Sequence, residues 1–455
     1  MNQDFDNWYK SIPTYNNQPP CSLENFSEKE QFIDKEFPPE VDSLVTDEII
    51  EYLINIISKT KDEESKKKYE NKYSTACILK KIKHWERISK LFPEYELFPP
   101  KLHSDVFDQK AIGDCYFLSS VALASNYGDL ITKLFPINKN PFGYYEVILF
   151  LNGWKRVIID DYIPILNGKP LTSLSKKYEK CFYNILLEKA WAKVNKNFYN
   201  IYGGIPSHSL TVLTGFKGIN KKFSCFDHKN IINEIENGIK TEGKLFAVNT
   251  EEHSYSLLDV HRYFNEFIVF QVRNPWGNIG RIYENLVKNE NHYLLQLFFN
   301  QKKNGDYVIK EDIKAFVEPD LKQEFSNFTF PDKSGIFYIS SKYFFDFFSD
   351  YDICYALFDS TVIEYSIKFK YKEISKRYFY FQMNVKEISR IQFNLSTEVI
   401  DSFGKRYPDY YNPEIVVIDN SDKTEKKYKE EAIIILKKGS YTIEWHYKCP
   451  EDNWL

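Results

Sequence analysis

The sequence predicts an α+β protein made of three consecutive parts, which are a helix-rich part, a β-rich part and a C-terminal run of short strands. Apolar residues recur at helical spacing from Cys115 to Ser125. Short β-prone runs around residues 245–249, 254–261 and 267–272 favour strands in the middle part. After residue 323, about eight short aromatic and β-branched runs predict an antiparallel sandwich.

Composition limits the class of protein. A chain of 455 residues with 43% apolar residues is long enough for two to four domains. A net charge of −4 argues against nucleic-acid partners. The seven cysteines show no paired spacing, which is typical of reduced intracellular thiols. Since we see neither a secretory signal nor a long apolar run, we expect a soluble, cytoplasmic protein.

The region before Cys115 contains a lead-in and a helical segment. Residues 1–29 are polar and rich in proline, and they read as irregular structure. Apolar residues between 49 and 57 predict an amphipathic helix behind Thr46, and a strongly charged run follows as a solvated helix or linker. Residues 46–92 either bind a partner or pack on the main core, and packing is the favoured interpretation.

Two elements after Cys115 have clear sequence signals. The runs EVILFL and WKRVII flank Asn152-Gly153, a combination that predicts a β-hairpin. The run LLEKAWAKVN, which contains Glu188, predicts a helix because it consists of strong helix formers.

Cys115 stands at the start of the central apolar helix. Asp114 is a natural N-cap, and the unpaired N–H groups of a first turn favour a thiolate. Gln109, on the loop that leads into the helix, can offer a side-chain N–H to an oxyanion beside the sulfur. Considered alone, Cys115 is as well explained as a buried structural cysteine.

Two distant motifs favour the reactive interpretation. EHSYS contains His253 and RNPWG contains Asn274, so cysteine, histidine and asparagine occur in the order typical of papain-type thiol proteases. If the intervening strands join through a two-residue loop at 264–265, His253 and Asn274 become diagonal neighbours on one sheet face. A three-residue loop would spoil that parity.

These motifs resemble those of the calpain family of cysteine proteases. The family signatures QGxLGDCWFLAA, GHAYSV and RNPWG appear here as QKAIGDCYFLSS, EHSYSLL and RNPWG. The resemblance implies Cys115 as nucleophile, His253 as base and acid, Asn274 as the orienting group and Gln109 as oxyanion donor. It also implies supporting roles for Gly113, Asp114 and Trp276. Glu252 and Lys110 replace family glycines beside these groups.

The resemblance also implies a domain plan. We expect a lead-in at 1–29, a papain-like protease core with a helical first half at 30–215 and a β-rich second half at 216–322, and a C2-like β-sandwich at 323–455. The segment NGDY with KEDIKAF was matched to the family motif DGEFWMSFEDF. The sandwich is expected either to brace the protease or to bind membranes reversibly, calcium or substrates.

Regulation by Ca²⁺ is a further expectation from the resemblance, since each half of a calpain protease core binds one ion. Glu188 matches a ligand of the first site, and Asp105 lies one position away from the second expected acid. In the second half only Asp306 remains, with Asn304 as a neutral replacement. We see no EF-hand loop and no indication of an organic cofactor.

Together these features predict a calpain-like intracellular cysteine endopeptidase that cuts protein substrates. The alternative is a catalytically silent scaffold that binds proteins or membranes through its β-sandwich.

Overall fold

The computed structural model describes two regions of the chain with gaps. The N-terminal region comprises residues 3–26, 31–176, 180–223, 227–263, 267–277, 299–301, 307–309 and 335–356. The C-terminal region comprises residues 378–385, 389–392, 397–400, 406–409, 414–429 and 433–446.

Most of the described helices lie in the first half of the core. They are α1 Gln3–Ser11, α2 Asp47–Lys59, α3 Glu63–Lys80, α4 Ile88–Leu91, α5 Cys115–Ser125, α6 Gly128–Lys133, α7 Tyr183–Val194, α8 Pro206–Thr214, α9 His228–Asn237 and α10 Ser341–Phe347. Short 3-10 helices lie at Tyr15–Asn17, Leu23–Asn25, Val41–Ser43 and Tyr199–Ile201, and a π-turn at Gly238–Glu242. None of the described helices is both long and apolar enough to cross a bilayer.

The strands of the N-terminal region form several antiparallel groups. They are β1 His84–Arg87, β2 Phe107–Asp108, β3 Tyr144–Phe150, β4 Trp154–Asp160, β5 Tyr162–Leu166, β6 Lys169–Pro170, β7 Leu174–Ser175, β8 Ile219–Lys222, β9 Lys244–Asn249, β10 Ser254–Tyr263, β11 Phe267–Arg273, β12 Phe299–Gln301, β13 Tyr307–Ile309, β14 Ile336–Ser340 and β15 Asp350–Tyr355.

The first half is built around α5, which is buried along its whole length after Cys115. The predicted hairpin is confirmed as β3 and β4, and Asn152 and Gly153 supply the positive φ angles that its turn requires. The predicted LLEKAWAKVN helix is confirmed as α7 and is fully buried. Apolar side chains of α2 and α3 join the same core, so the 46–92 segment packs on this first half.

Buried ion pairs fix the elements around α5. Lys193 on α7 lies 2.7 Å from Asp34 in the segment before α2, and Lys189 pairs with Asp160 at the end of β4. Because each buried charge has a partner, the segments that they join are held in one arrangement. The first half is therefore specified by charge as well as by apolar packing.

The second half contains a six-stranded sheet in the order β14-β11-β10-β9-β15-β8. Here the domain boundary predicted at residue 323 is wrong. Strand β14 pairs with β11, and β15 inserts between β9 and β8. Phe344 of α10 stacks on Phe270 of β11 at 3.8 Å between ring centroids. The GIFYIS and CYALF runs, expected in the sandwich, therefore complete this six-stranded sheet and bury its apolar face.

The C-terminal region is antiparallel where it is described. Its strands are β16 Tyr378–Val385, β17 Ser389–Gln392, β18 Thr397–Ile400, β19 Arg406–Asp409, β20 Glu414–Asp419, β21 Glu425–Lys429, β22 Ile433–Leu436 and β23 Gly439–His446. Four of them form a sheet in the order β16-β23-β20-β21. The antiparallel pairing agrees with the expected strand pattern, and the C2-like identity of this region stays a prediction.

Candidate active site

Cys115 opens α5 at the boundary between the two halves. The carbonyl oxygen of Asp114 accepts the N–H groups of Phe117 and Leu118, so the helix begins at Cys115. The backbone N–H groups of Ser254 and Tyr116 lie near the Cys115 sulfur and act to lower the pKa of the thiol. Because Ser254 belongs to β10, the second half comes close to the sulfur of the first.

The protonation state of Cys115 follows from this enclosure. Burial raises the pKa of the Cys115 thiol to about 11, although the surrounding N–H groups oppose the shift. The start of a helix was expected to favour the thiolate. Burial outweighs that effect on the pKa, so the group is a thiol at neutral pH.

His253 and Asn274 lie side by side on the second half. His253 Nε2 lies 2.8 Å from Asn274 Oδ1, which also accepts the backbone N–H of Trp276 at 3.1 Å. Since an amide oxygen only accepts, Nε2 carries the imidazole proton and Nδ1 keeps its lone pair. Burial lowers the pKa of His253, although the Asn274 contact opposes this, so the imidazole is neutral at pH 7.

The strand register beside the site is the predicted one, although the connection between the two strands is longer than the predicted two-residue loop. Strands β10 and β11 are separated by residues 264–266, a three-residue connection that by itself would break the required parity. A β-bulge between Leu257 and Asp259 compensates for it, and Ser256 pairs with Arg273 beside the site. His253 and Asn274 therefore meet because two irregularities cancel.

Aromatic rings enclose the imidazole. The Trp276 ring lies 4.4 Å from the His253 ring between centroids, and Tyr255 makes an edge contact at 4.7 Å. Trp276 is nevertheless 44% exposed, which is unusual for so large an apolar side chain. One side of its ring covers the histidine and the other faces the cleft.

Gln109 lies at the site but its amide is already engaged. Its Nε2 donates to the Ile112 carbonyl oxygen at 2.5 Å and to Asp114 Oδ1 at 3.3 Å. To donate to an oxyanion, Gln109 must exchange one of these two bonds. Its buried Oε1 atom has no hydrogen-bond partner, so the amide is not locked from that side.

The prediction that the Asp114 side chain caps α5 is wrong. That side chain accepts no capping hydrogen bond, and the residue is fully buried. It hydrogen-bonds Glu188 of α7, which also accepts the backbone N–H of Ser173 at 2.8 Å. Burial raises the pKa of Glu188 to about 7, and burial together with the Glu188 charge raises the pKa of Asp114. The two buried carboxyl groups therefore lie close together, and a negative charge on Glu188 disfavours ionisation of Asp114.

The expected metal ligands lie in environments that suit other roles. Glu188 is occupied by Asp114 and Ser173. Burial works to raise the pKa of Asp105, but its hydrogen bond to His103 and the charge of Lys176 outweigh burial and bring that pKa to about 2. Glu188 stays a predicted Ca²⁺ ligand, since a bound cation would itself lower the pKa of this carboxyl group.

Within the part of the chain that the structure describes, no three or more His, Cys, Asp and Glu side chains form a group that could hold a metal ion. Asp306 and Asn304 lie outside the described residues. The dependence on Ca²⁺ stays a prediction.

Gly113 and Gly335 both shape the site, and the sequence motifs indicated only Gly113. A Cβ on Gly113 would lie 2.5 Å from the Tyr202 ring, so the glycine allows Tyr202 to pack beside Cys115. Gly335 has φ +78°, and its carbonyl oxygen accepts the backbone N–H of Asn274 at 2.9 Å. A Cβ on Gly335 would lie 2.6 Å from the backbone oxygen of Asn274. Gly335 was missed because it was assigned to the sandwich.

The arrangement joins a sulfur nucleophile to a neutral imidazole that can accept a proton. The imidazole is oriented by an amide and shielded on two sides by aromatic rings. Backbone N–H groups lie near the sulfur at the start of a helix, which is where the oxyanion of a tetrahedral intermediate would form. This chemistry is suited to acyl transfer from a carbonyl compound.

Comparison with known proteins agrees with this geometry. The sequence model of the calpain family of cysteine proteases matches residues 32–284, which is more than half of the 455 residues. The chain is 27% identical to the calpain-type cysteine protease ADL1 of Oryza sativa subsp. japonica over 277 residues, which cover 54% of this chain and 12% of that protein.

Animal proteins are similar over a shorter region. The identity is 27% over 213 residues with human calpain-14, covering 40% of this chain and 31% of that protein. It is 31% over 217 residues with mouse calpain-7, covering 40% and 26%. The chain thus spans less than a third of the length of each of these relatives. The family match, together with the paired His253 and Asn274 beside Cys115, shows that this chain belongs to the calpain family of cysteine proteases.

Proposed function

We propose that the protein is a cysteine endopeptidase that makes limited cuts in protein substrates. The observation that carries this proposal is the His253–Asn274 hydrogen bond of 2.8 Å on a strand whose Ser254 N–H lies near the Cys115 sulfur. The three groups come from distant parts of the sequence and from both halves of the core. We further propose an intracellular location, in keeping with the reduced cysteines.

The first chemical step joins proton transfer to attack. Because the resting pair is a neutral thiol and a neutral imidazole, the Cys115 proton passes to His253 Nδ1 as the sulfur attacks the substrate carbonyl carbon. Asn274 keeps Nε2–H in place, so that Nδ1 stays the accepting nitrogen. The resulting tetrahedral species carries its negative charge on the former carbonyl oxygen.

Stabilisation of that oxygen is the role we propose for Gln109 and for the backbone at the start of α5. Donation by Gln109 Nε2 requires the loss of its bond to Asp114 or to Ile112, and the Asp114 bond, at 3.3 Å, is the longer of the two. Imidazolium then protonates the leaving amine, and a thioester forms on Cys115. Water, deprotonated by His253, hydrolyses the thioester and restores the thiol.

The competing function is a silent scaffold, for which the C-terminal strands would supply the binding surface. Glu252, in the place of a family glycine, is the feature that favours it. Its side chain is exposed, and none of the three reacting groups is replaced. The site geometry therefore favours catalysis, and membrane binding by the C-terminal region is a separate proposal.

Cleavage of casein by the purified full chain tests the proposal. Cys115→Ala should lower kcat/KM by at least about a thousandfold, since removal of a nucleophile removes the covalent route. Cys21→Ala is the matched control, because Cys21 is an exposed free cysteine far along the chain from the site. This variant should cleave casein at the wild-type rate. Equal cleavage by the wild type and Cys115→Ala would sink the proposal.

A further inference from the structure

The loops that carry Gln109 and Asn274 contact each other across the boundary between the halves. The Gln109 N–H donates to the Pro275 carbonyl oxygen at 2.8 Å. The Asp108 carboxylate lies against the Gly277 backbone so closely that a Cβ there would overlap Asp108 Oδ1. Gly277 has φ +67°, a conformation that glycine adopts without strain. The two loops therefore contact each other at two pairs of residues, Gln109 with Pro275 and Asp108 with Gly277.

Arg273 links these loops through its charge. The Arg273 guanidinium is fully buried, hydrogen-bonds the Phe107 carbonyl oxygen and lies 3.4 Å from Asp108 Oδ1. A buried guanidinium requires a carboxylate nearby, because an uncompensated buried charge is strongly destabilising. Asp108 supplies that carboxylate from the opposite half.

Lysines complete the charge balance around the two acidic residues of this loop. Lys176 Nζ lies 3.8 Å from Asp105 and 3.9 Å from Asp108, and Lys110 Nζ lies 4.0 Å from Asp108. The chain itself thus places cations around both carboxylates. A divalent cation approaching them would be repelled by three positive side chains.

We infer that Asp108, Arg273 and Lys176 form a latch, here called the Asp108 latch, that holds the two halves closed without a divalent cation. Asp108 acts as a positioning residue. Through Arg273 and Gly277 it fixes the loop of Asn274, and through its own backbone it fixes the adjacent Gln109. The inference rests on the proposed peptidase function, because it concerns the closure of that same site.

The first test measures casein cleavage by the full chain in EDTA and in millimolar Ca²⁺. The two rates should agree within about twofold, since a ligand without differential affinity for the open and closed states shifts nothing. Activation by Ca²⁺ of more than about tenfold would overturn the inference while leaving the peptidase function intact.

The second test breaks the latch with Asp108→Asn, which keeps the shape and removes the charge. We expect kcat to fall by about a hundredfold with a smaller change in KM, because misplacement of reacting groups acts on the transition state. The matched control is Glu234→Gln, whose carboxylate pairs with Lys221 at 2.7 Å at a distance from the site. The control should retain the wild-type kcat.

A substitution at the partly exposed Lys176 should disturb folding less than the substitution at Asp108. Lys176→Met should lower kcat and Lys176→Arg should restore it, since arginine keeps the charge. Equal activity in the methionine and arginine variants would overturn the role of Lys176 in the latch.

A readout independent of catalysis separates the latch from the peptidase function. Hydrogen–deuterium exchange at the Gln109 amide should be slow in the wild type in EDTA and fast in Asp108→Asn. Amides of β9 should keep their protection in both proteins. If no casein is cleaved and the Gln109 amide still responds in this way, the peptidase function fails and the latch stands. Fast exchange in the wild type that only Ca²⁺ slows would refute the latch.

Discussion

The two halves of the protease core are stabilised in different ways. The first half encloses α5 with buried ion pairs, such as Lys193 with Asp34 and Arg87 with Asp161 at 2.5 Å. The second half stacks aromatic rings on a sheet whose strands come from distant parts of the chain. A buried charge requires one particular partner of opposite charge. A stacked ring can be replaced by another apolar side chain of similar shape. The first half therefore adds individual buried ion pairs to its apolar packing, whereas the second half relies mainly on accumulated apolar contact.

The largest effect on stability is expected from a broken ion pair in the first half. Lys193→Met removes a buried ammonium that bonds Asp34 and the Ile158 carbonyl oxygen, both at 2.7 Å. Because Asp34 is left buried with a charge, the free energy of unfolding should fall by about 3–5 kcal/mol. Urea denaturation measures the change. Lys180→Met, which breaks the exposed pair with Glu94, is the control and should leave the midpoint unchanged.

A slightly smaller effect is expected in the second half. Phe344→Ala removes a fully buried ring from α10, so the free energy of unfolding should fall by about 3–4 kcal/mol. Casein cleavage should fall as well, since Phe344 packs on the strand that leads to Asn274. The partly exposed Phe345 provides the control substitution. An active, stable Phe344→Ala protein would contradict the placement of residues 335–356 in the protease sheet.

A third prediction concerns the pH dependence of the reaction. The Asn274 contact raises the pKa of His253 against the effect of burial, so Asn274→Ala should lower that pKa further. The rate falls below the pKa of His253, where the imidazole is protonated. The acid limb of kcat/KM should therefore move to lower pH in the variant. At pH 7, kcat/KM should drop by about a hundredfold, a part of what acid–base catalysis supplies. An acid limb that moves upward would contradict the assignment of His253.

The smallest effect is expected for Glu252→Gly, which restores the family residue beside His253. Because the Glu252 side chain is exposed, kcat/KM should change by no more than about threefold, the usual range for surface substitutions. A loss of activity in this variant would show that the carboxylate takes part in the site.

Sequence patterns predicted the local elements well because their signals are local. Helical spacing located α5, and Asn152-Gly153 located the β3–β4 turn. The order of Cys115, His253 and Asn274 indicated the family. By contrast, the direction of the Asp114 side chain depends on Glu188, a residue far along the chain. No pattern near Asp114 distinguishes a helix cap from a buried carboxyl pair.

The second half was harder to predict because its pairing is non-local. Strands β14 and β15 alternate like sandwich strands, and only their partners β11 and β9 show where they belong. A sequence signal did exist. The family motif DGEFWMSFEDF matches GIFYISSKYF from Gly335 to Phe344 at its glycine, its serine and two of its three phenylalanines, which is a better fit than residues 304–316. The bulge between Leu257 and Asp259 had no comparable signal.

The most direct test of the central claim identifies the residue that an epoxide-type thiol-protease inhibitor alkylates. Mass spectrometry of the inactivated full chain should find the label on Cys115, with one label per chain and loss of casein cleavage in proportion to labelling. His253→Ala should slow the labelling, because the thiol then lacks its proton acceptor. Inactivation with the label on another cysteine, or full cleavage by protein labelled at Cys115, would contradict the account.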